Sequence, residues 1–170
     1  MSSLLDFQNT SPQIEKNVFI APGAYVIGNV EIGEESSIWF NTVVRGDVNW
    51  IKIGKRTNIQ DLSMVHVDSG AWPCQIGDDV TAGHRVIIHG CEIADRVLIG
   101  MGSVLMNGSK IGEDSMIGAG SLVTENAVIP PRTLALGSPC KVKRDLTEKE
   151  IQMIKLSALH YAALATKYRF

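Results

Sequence analysis

The feature of this 170-residue chain that most restricts its fold is an aliphatic residue that recurs at every sixth position. The longest uninterrupted run comprises Ile93, Ile99, Leu105, Ile111, Ile117, Val123 and Ile129. A helix needs apolar residues three and four apart, and a half-buried strand needs strict alternation, so this period fits neither. Repeats of six residues are typical of a parallel β-helix, in which three repeats form one triangular coil of about 18 residues. The sequence therefore predicts an all-β solenoid.

A second repeat has the length of one whole coil. The segment 100–103 (Gly-Met-Gly-Ser) returns at 118–121 as Gly-Ala-Gly-Ser. Small residues at repeated places suit tight corners, where a Cβ atom is excluded. The pattern predicts about seven coils between Ile20 and Leu134, each advancing by one strand spacing of roughly 4.8 Å. The alternative, a β-sandwich of short strands, predicts strict alternation instead.

Changes of pattern divide the chain into three parts. Residues 1–17 form a polar leader, residues 18–136 the solenoid, and residues 137–170 a connector and a C-terminal helix. Thr147 and Glu150 have the spacing of a capping box at a helix N-terminus. Apolar residues follow at helical spacing: Ile151, Ile154, Ala158, Tyr161, Ala162 and Ala165. The helix is expected to lie along one face of the solenoid.

Composition excludes several classes of function. The formal net charge of −2 argues against a nucleic-acid binder, which would carry a basic patch. No apolar run approaches the roughly 20 residues that span a bilayer, so no membrane association is expected. The N-terminus does not resemble a secretory signal, and the three cysteines have no paired spacing. We expect a cytoplasmic protein with reduced thiols.

Three of the four histidines fall within one short span of the repeat. His66 follows the third inward residue of its coil, and His89 follows the third inward residue of the next coil. This match requires residues 68–75 to form a loop that projects outward. The two histidines should then lie on the same face of adjacent coils, with Cα atoms roughly 5 Å apart.

His84 falls on the preceding face, near a corner, and should not reach the same ion within its own chain. A threefold arrangement in which His84 of one protomer approaches the pair on its neighbour resolves this geometry. The spacing thus predicts a homotrimer with interfacial metal sites. Three neutral imidazoles leave a zinc ion with an open fourth position, and Fe²⁺ or Co²⁺ are alternative ions. The competing interpretation is that all three are ordinary surface histidines.

Further polar residues lie near these positions. Arg45 and Asp47 are two apart on a strand, so they point to the same side and can form an ion pair, structural or catalytic. Gln60 is placed to orient a metal-bound water.

Several segments together resemble a known family. They are 44–47 (Val-Arg-Gly-Asp), 53–61, Gly83-His84, His89-Gly90-Cys91, 98–102 and Gly137-Ser138-Pro139. These segments are similar to those of the gamma-class carbonic anhydrase-like proteins of the hexapeptide-repeat superfamily. The short loop after His66 is typical of its YrdA/PaaY-like branch.

The resemblance implies a left-handed β-helix and a homotrimer with zinc or iron held by histidines across the subunit interface. It implies that His66 and His89 come from one subunit and His84 from the next. It also implies that Arg45 and Asp47 form an interface ion pair. Finally, it implies an active site lined by Asn58, Gln60 and Tyr161.

Two departures from the family pattern bear on activity. Val48 stands where archetypal active members have a glutamate, and the loop after His66 offers only Asp68 as a proton shuttle. We therefore expect reversible CO₂ hydration by metal-bound hydroxide, with slow turnover and CO₂ or bicarbonate as substrate. The alternatives are a metal-dependent acyl-CoA thioesterase, a metal-independent hexapeptide acyltransferase, and a non-enzymatic trimeric scaffold. Three tryptophans that look exposed in sequence, Trp39, Trp50 and Trp72, are compatible with a docking scaffold, and burial of each at the trimer interface is the equal alternative.

Overall fold

The computed structural model describes residues 3–168, which form a parallel β-solenoid of about seven turns followed by one helix. The predicted fold class is thereby confirmed. The first strands are β1 (Leu4–Leu5), β2 (Gln13–Ile14), β3 (Phe19–Ile20), β4 (Tyr25–Ile32), β5 (Ser37–Ile38), β6 (Val43–Ile53), β7 (Asn58–Ile59), β8 (Met64–His66), β9 (Cys74–Ile76) and β10 (Thr81–Ala82). The remaining elements are β11 (Ile87–His89), β12 (Glu92–Ile93), β13 (Leu98–Ile99), β14 (Val104–Leu105), β15 (Lys110–Ile111), β16 (Met116–Ile117), β17 (Leu122–Val123), β18 (Val128–Ile129), β19 (Thr133–Leu136), β20 (Lys141–Asp145) and α1 (Glu148–Ala165).

The strands stack into three faces. The helix face is an eight-stranded sheet that contains β3, β5, β7, β10, β13, β16, β19 and β20. The histidine face contains the first halves of β4 and β6, with β8, β11, β14 and β17. The open face contains the second halves of β4 and β6, with β9, β12, β15 and β18. Because β4 and β6 turn a corner without a break, these two faces belong to one hydrogen-bonded sheet.

The aliphatic residues at every sixth position point into the core, as predicted. The aliphatic residues of the longest run are all at most 4% exposed. The aliphatic residues that keep the same six-residue spacing earlier in the chain, from Val26 onward, are equally buried, whereas Ile20 is half-buried. Each coil places three such residues inside, so the core is a continuous column of Ile, Val and Leu side chains. Burying an aliphatic side chain of this size contributes about 1.5–3 kcal/mol, which offsets the ordering of the many short strands.

Strand pairing crosses both boundaries that the sequence suggested for the solenoid. Upstream of residue 18, β1 and β2 pair in parallel with β4. Downstream of residue 136, β20 pairs antiparallel with β19. The three-part division of the chain stays a prediction.

The helix begins where its capping box predicts. The Thr147 side chain accepts a hydrogen bond from the Glu150 amide, and the Thr147 amide donates to the Glu150 carboxylate at 2.9 Å. The Arg144 guanidinium, which donates to the same carboxylate, lowers the pKa of Glu150 to about 2. Ile151 and Ile154 are buried against the outer side chains of the helix face. Among residues 3–168, no helix combines the length and hydrophobicity needed to cross a membrane.

The tryptophans are less exposed than the scaffold alternative requires. Trp39 is 4% exposed and its ring packs edge-on against Tyr161 of α1, with centroids 5.5 Å apart. Trp50 and Trp72 are half-buried. The expectation of an exposed Trp39 is wrong because the helix covers that end of its face. The three cysteines are free thiols, as expected.

Charged residues of alternating sign follow the corner between the open face and the helix face. They are Glu35, Arg56, Asp79, Arg96, Asp114 and Arg132, one from each coil, and all have positive φ. Arg56 donates twice to Asp79, at 2.6 and 2.7 Å, and Arg96 donates to Asp114 at 2.8 and 3.1 Å. These ion pairs link neighbouring coils at a corner where the backbone leaves the β conformation.

Asp114 should make the stability of the solenoid sensitive to acid. Its hydrogen bonds with Arg96 outweigh burial and lower the pKa of Asp114 below the ordinary 3.8. Its ionised form therefore stabilises the fold fully above pH 3.8, and this contribution is lost as the pH falls through the lower folded-state pKa. We expect Asp114→Asn to lower the melting temperature at about pH 7, and the difference from wild type to shrink towards about pH 3.

Asn tolerates positive φ, so this change alters the charge with little backbone strain. Asp145→Asn, at an exposed residue of β20, is the matched control and should show no such pH-dependent difference. A difference that stays constant between about pH 7 and pH 3 would contradict the role given to Asp114.

Candidate metal centre

The histidine pair, His66 and His89, lies in register on adjacent coils. Strands β8 and β11 pair in parallel, with Ile88 opposite Val65 and His89 opposite His66. Partners here are 23 residues apart, whereas Leu98 and Met116 on the helix face are 18 apart, because the loop at 67–73 projects from the corner. The predicted pairing of the two histidines is therefore confirmed. Both residues point away from the core and are half-buried.

Each histidine of the span has one ring nitrogen within hydrogen-bond distance of a side-chain oxygen. The pairs are His66 Nε2 with Asp47 Oδ1 at 3.0 Å, His84 Nδ1 with Asp61 Oδ2 at 2.8 Å, and His89 Nδ1 with Asn107 Oδ1 at 2.6 Å. Carboxylate and amide oxygens only accept, so each of these nitrogens carries the proton. In a neutral ring the second nitrogen then presents its lone pair, which is the state that binds a metal.

The two inner nitrogens of the pair fit a shared cation. His66 Nδ1 and His89 Nε2 face each other at 3.1 Å. Two lone pairs at that distance repel, so a proton or a metal ion is needed between them. Two ligands of a tetrahedral zinc ion with bonds of about 2.0–2.1 Å lie about 3.3 Å apart. The chemistry and spacing of the pair therefore suit a metal ion.

Arg45 and Asp47 extend the pair toward the next corner. The Arg45 guanidinium donates to Asp47 Oδ2 while Asp47 Oδ1 accepts from His66, so the carboxylate bridges a cation and an imidazole. Burial raises the pKa of Asp47, but the hydrogen bonds to His66 and Arg45 together lower it by more, so the net shift of the pKa is downward. An ionised Asp47 thus fixes the orientation of His66. The ion pair forms here within one chain.

The His84 corner consists of Asp61, His84 and Tyr161, with Gln60 beside them. His84 occupies the turn between β10 and β11, as predicted, and hydrogen-bonds Asp61 one coil below. Burial and then the negative charge of Asp61 raise the pKa of Tyr161. The Asp61 carboxylate thus interacts both with His84, by a hydrogen bond, and with Tyr161 of the helix, through its charge.

Asn58 and Gln60, which shortly precede Asp61 on and after β7, are buried. They are 1% and 4% exposed. Gln60 Nε2 donates to Asn58 Oδ1 at 3.1 Å, and Asn58 Nδ2 donates to Thr81 Oγ1 at 3.0 Å. Thr81 in turn donates to Ser157 of α1 at 3.2 Å. In a single chain the two amides join the helix face to the helix, and their contact with substrate stays a prediction.

The histidine pair and the His84 corner do not meet within one chain. Across residues 3–168, no three His, Cys, Asp or Glu side chains approach closely enough to hold a metal. This agrees with the argument from spacing, which places His84 at the pair of a neighbouring protomer. The complete three-histidine site stays a prediction.

Comparison with known proteins places this geometry in a family. A model of the bacterial transferase hexapeptide family (six repeats) matches residues 11–46, 73–107 and 90–125. A probable carbonic anhydrase of Methanocaldococcus jannaschii is 53% identical, with 89% of this chain and 95% of that protein aligned. Protein YrdA of Escherichia coli is 45% identical, with 99% and 95% aligned. The chain belongs to the gamma carbonic anhydrase-like branch of the hexapeptide-repeat proteins.

Two further members of the hexapeptide-repeat proteins show the range of the group. Gamma carbonic anhydrase 2, mitochondrial, of Arabidopsis thaliana is 45% identical across 96% of this chain, which spans 60% of that protein's length. A hexapeptide transferase family protein from Anaplasma phagocytophilum superposes with a TM-score of 0.94 at 40% identity, covering 98% of both chains. Members of one fold thus carry the names of two different reactions.

The hydrogen-bond partners of two histidines in this gamma carbonic anhydrase-like chain were not predicted from the sequence. Asp61 lies 23 residues before His84, the same offset that joins His66 to His89. Asn107 lies 18 residues after His89, one ordinary coil away. Both offsets can be read from the sequence and would have indicated that these residues are neighbours. They do not give the side-chain rotamer that brings each oxygen to a ring nitrogen.

Proposed function

We propose that this protein is a metal-dependent carbonic anhydrase that hydrates CO₂ reversibly at sites shared between the protomers of a homotrimer. The observation that carries the proposal is the shared state of His66, His84 and His89. In each of them, one ring N–H donates a hydrogen bond to a side-chain oxygen, and the lone pair of the other ring nitrogen can bind a metal. His160 differs, since it packs edge-on against Tyr161 on the helix. The carbonic anhydrase names of similar proteins support the reaction assigned to the site.

The histidines are the groups that would hold the metal. His66 and His89 of one protomer and His84 of its neighbour would supply three nitrogen ligands. A zinc ion held in this way would lower the pKa of its bound water to about 7, which would provide a nucleophile at neutral pH.

The chain's other residues fix the ligands and attract the product. Asp47 and Asn107 hold the two rings of the pair so that their inner nitrogens converge. The half-exposed guanidinium of Arg45, ion-paired with Asp47, offers positive charge for bicarbonate. These roles follow from general principles of ligand orientation and anion binding.

Proton removal is the step that this chain supports least well. Val48, which stands where archetypal active members have a glutamate, is 53% exposed and carries no titratable group. Asp68 is the remaining acid of the loop, but its Oδ1 accepts from the Ser69 amide at 2.7 Å and its Oδ2 accepts from Asn107 at 3.0 Å. We therefore propose slow turnover that rises with the concentration of an external buffer.

An acyltransferase is the second candidate, because the similar Anaplasma protein is named a transferase. That reaction needs a histidine base and an acyl donor but no metal. Metal content therefore separates the two proposals before any activity is measured.

The test is metal per chain and oligomeric mass of protein purified anaerobically without chelator, followed by stopped-flow CO₂ hydration. We expect one zinc or iron per protomer, a trimer, and a hydration rate that increases with buffer concentration. Assays with acyl-CoA substrates, run in parallel, report thioesterase and acyltransferase activity. A metal-free trimer that takes up neither zinc nor iron would overturn the proposal.

A further inference from the structure

A three-residue chain of hydrogen bonds ends at the outer nitrogen of His89. Asn107 Oδ1 lies 2.6 Å from His89 Nδ1, and Asn107 Nδ2 donates to Asp68 Oδ2 at 3.0 Å. Asp68 comes from the loop at 67–73, and Asn107 comes from the corner between β14 and β15. The loop that makes the register irregular therefore reaches back to the histidine pair.

The Asp68 carboxylate decides which way the Asn107 amide points. A carboxylate only accepts hydrogen bonds, so the amide NH₂ must face Asp68 and the amide oxygen must face His89. The oxygen in turn requires a proton on His89 Nδ1. That leaves the lone pair on Nε2, the nitrogen directed at His66.

We propose that Asp68 and Asn107 are positioning residues that hold His89 in the Nδ1-protonated form required of a metal ligand. The inference rests on the proposed function, in which His89 binds the metal. Asp68, the proton-shuttle candidate of the loop, thereby takes a different role. The acid orients a ligand because both of its oxygens are already hydrogen-bonded.

The loop is held firmly enough for this role. Asn49 Nδ2 donates to the carbonyl oxygens of both Asp68 and Gly70 at 3.1 Å. The Asp68 amide donates to the Trp72 carbonyl at 3.1 Å, which closes the loop on itself. The Trp72 ring lies over Gly108, where an added Cβ would be 2.8 Å from its Cη2 atom. These contacts fix the carboxylate relative to the coil that carries Asn107.

Asp68→Asn removes the charge at nearly constant volume. The amide introduced at position 68 can donate to Asn107 Oδ1, which allows the Asn107 amide to turn its NH₂ toward His89. The ring would then be protonated on Nε2, which blocks the inner nitrogen. We expect zinc affinity to fall about 10- to 100-fold, the usual range for loss of a group that orients a histidine ligand. Asn107→Ala should cause a similar loss.

Exchanging the two residues should restore the arrangement. In the double variant Asp68→Asn/Asn107→Asp, the new amide donates to one oxygen of the new carboxylate, and the other oxygen accepts from His89 Nδ1. We expect zinc affinity within about threefold of wild type, although Asp68→Asn alone is impaired. A residue pair that only stabilised the loop would show no such rescue of affinity.

Two readouts on the full-length protein test the inference. Competition with a chromophoric chelator gives zinc affinity, and ¹⁵N NMR of the histidine rings in metal-free protein at about pH 8 shows whether His89 Nδ1 carries a proton. Glu125→Ala, at the exposed residue one coil beyond Asn107, is the matched control and should match wild type in both. Melting temperatures identify any variant that fails to fold.

The outcomes separate this inference from the proposed function. Wild-type protein that binds neither zinc nor iron contradicts the proposed function, while the NMR arm still tests the tautomer. Wild-type protein that binds zinc, with unchanged affinity and an unchanged His89 tautomer in Asp68→Asn and Asn107→Ala, overturns the inference and leaves the function standing. Loss of affinity in both single variants, with rescue in the exchange variant, supports it.

Discussion

His84→Ala should release nearly all bound metal and lower CO₂ hydration by more than the 10- to 100-fold typical of a residue that only orients a ligand. This effect is expected although His84 contacts neither His66 nor His89 within its own chain. The reason is that His84 would complete the site of the neighbouring protomer. Metal analysis, stopped-flow hydration and oligomeric mass of the variant give the measurement.

Mixed trimers distinguish an interfacial site from an effect on folding. A protomer with His84→Ala keeps the histidine pair, and a protomer with His66→Ala keeps the His84 corner. When the two variants are co-refolded in equal amounts, about one quarter of the interfaces should combine an intact pair with an intact corner. Metal content and activity should therefore return to about a quarter of the wild-type level, although each variant alone is inactive.

Mixing His66→Ala with His89→Ala is the matched control. Both changes damage the histidine pair, so no arrangement of the protomers produces a complete site. We expect no recovery from this mixture. Recovery here, or none in the mixture with His84→Ala, would show that the three histidines are not divided between protomers as proposed.

The division of the site could be inferred from the sequence because it depends on counting residues along a regular solenoid. The extra residues at 67–73 shift the offset between adjacent coils from 18 to 23, and this shift places His66 beside His89 instead of beside His84. The aliphatic repeat fixes the register of the backbone, so the sequence predicts which residues are neighbours on adjacent coils. The same regularity predicted the core, whereas the capping box of the helix was predicted from the local spacing of Thr147 and Glu150.

Interactions that depend on rotamers and on covering elements could not be predicted in this way. The link from Asp68 through Asn107 to His89 needs the folded path of an irregular loop, for which the repeat gives no template. Trp39 looked exposed because its burial depends on which face the helix covers, and an apolar stripe on a helix does not specify that face. The hand of the solenoid came from family resemblance alone.

The two glycines of the Gly-x-Gly corner also differ in a way that the sequence does not show. Gly100 and Gly102 look equivalent in sequence, yet their surroundings differ. A Cβ added to Gly100 would lie 2.7 Å from Ala119 Cα and 2.8 Å from the Gly118 carbonyl carbon, both backbone atoms of the next coil. Gly102 has a φ of +70° and no atom within 4 Å of an added Cβ. One glycine is required for close approach and the other for its backbone angle.

We expect Gly100→Ala to lower the free energy of unfolding by about 3 kcal/mol, the upper end of the cost of overpacking. The neighbouring backbone cannot move away easily, because the Gly118 amide donates to Ala135 at 2.8 Å and the Gly120 amide donates to Met101 at 2.9 Å. Gly102→Ala should cost only about 1 kcal/mol, the lower end of the strain of a left-handed residue. Urea denaturation of both variants at neutral pH measures the difference.

The comparison is informative because the two substitutions are chemically identical and lie two residues apart on one turn. Several non-glycine residues of this solenoid already have positive φ at corners, Asn41 and Arg85 among them, so strain at position 102 should be tolerated. Equal losses in the two variants would mean that backbone angle, and not the spacing between coils, governs the corner. A larger loss at Gly100 would show that the stacking distance of about 4.8 Å sets which corner positions must lack a side chain.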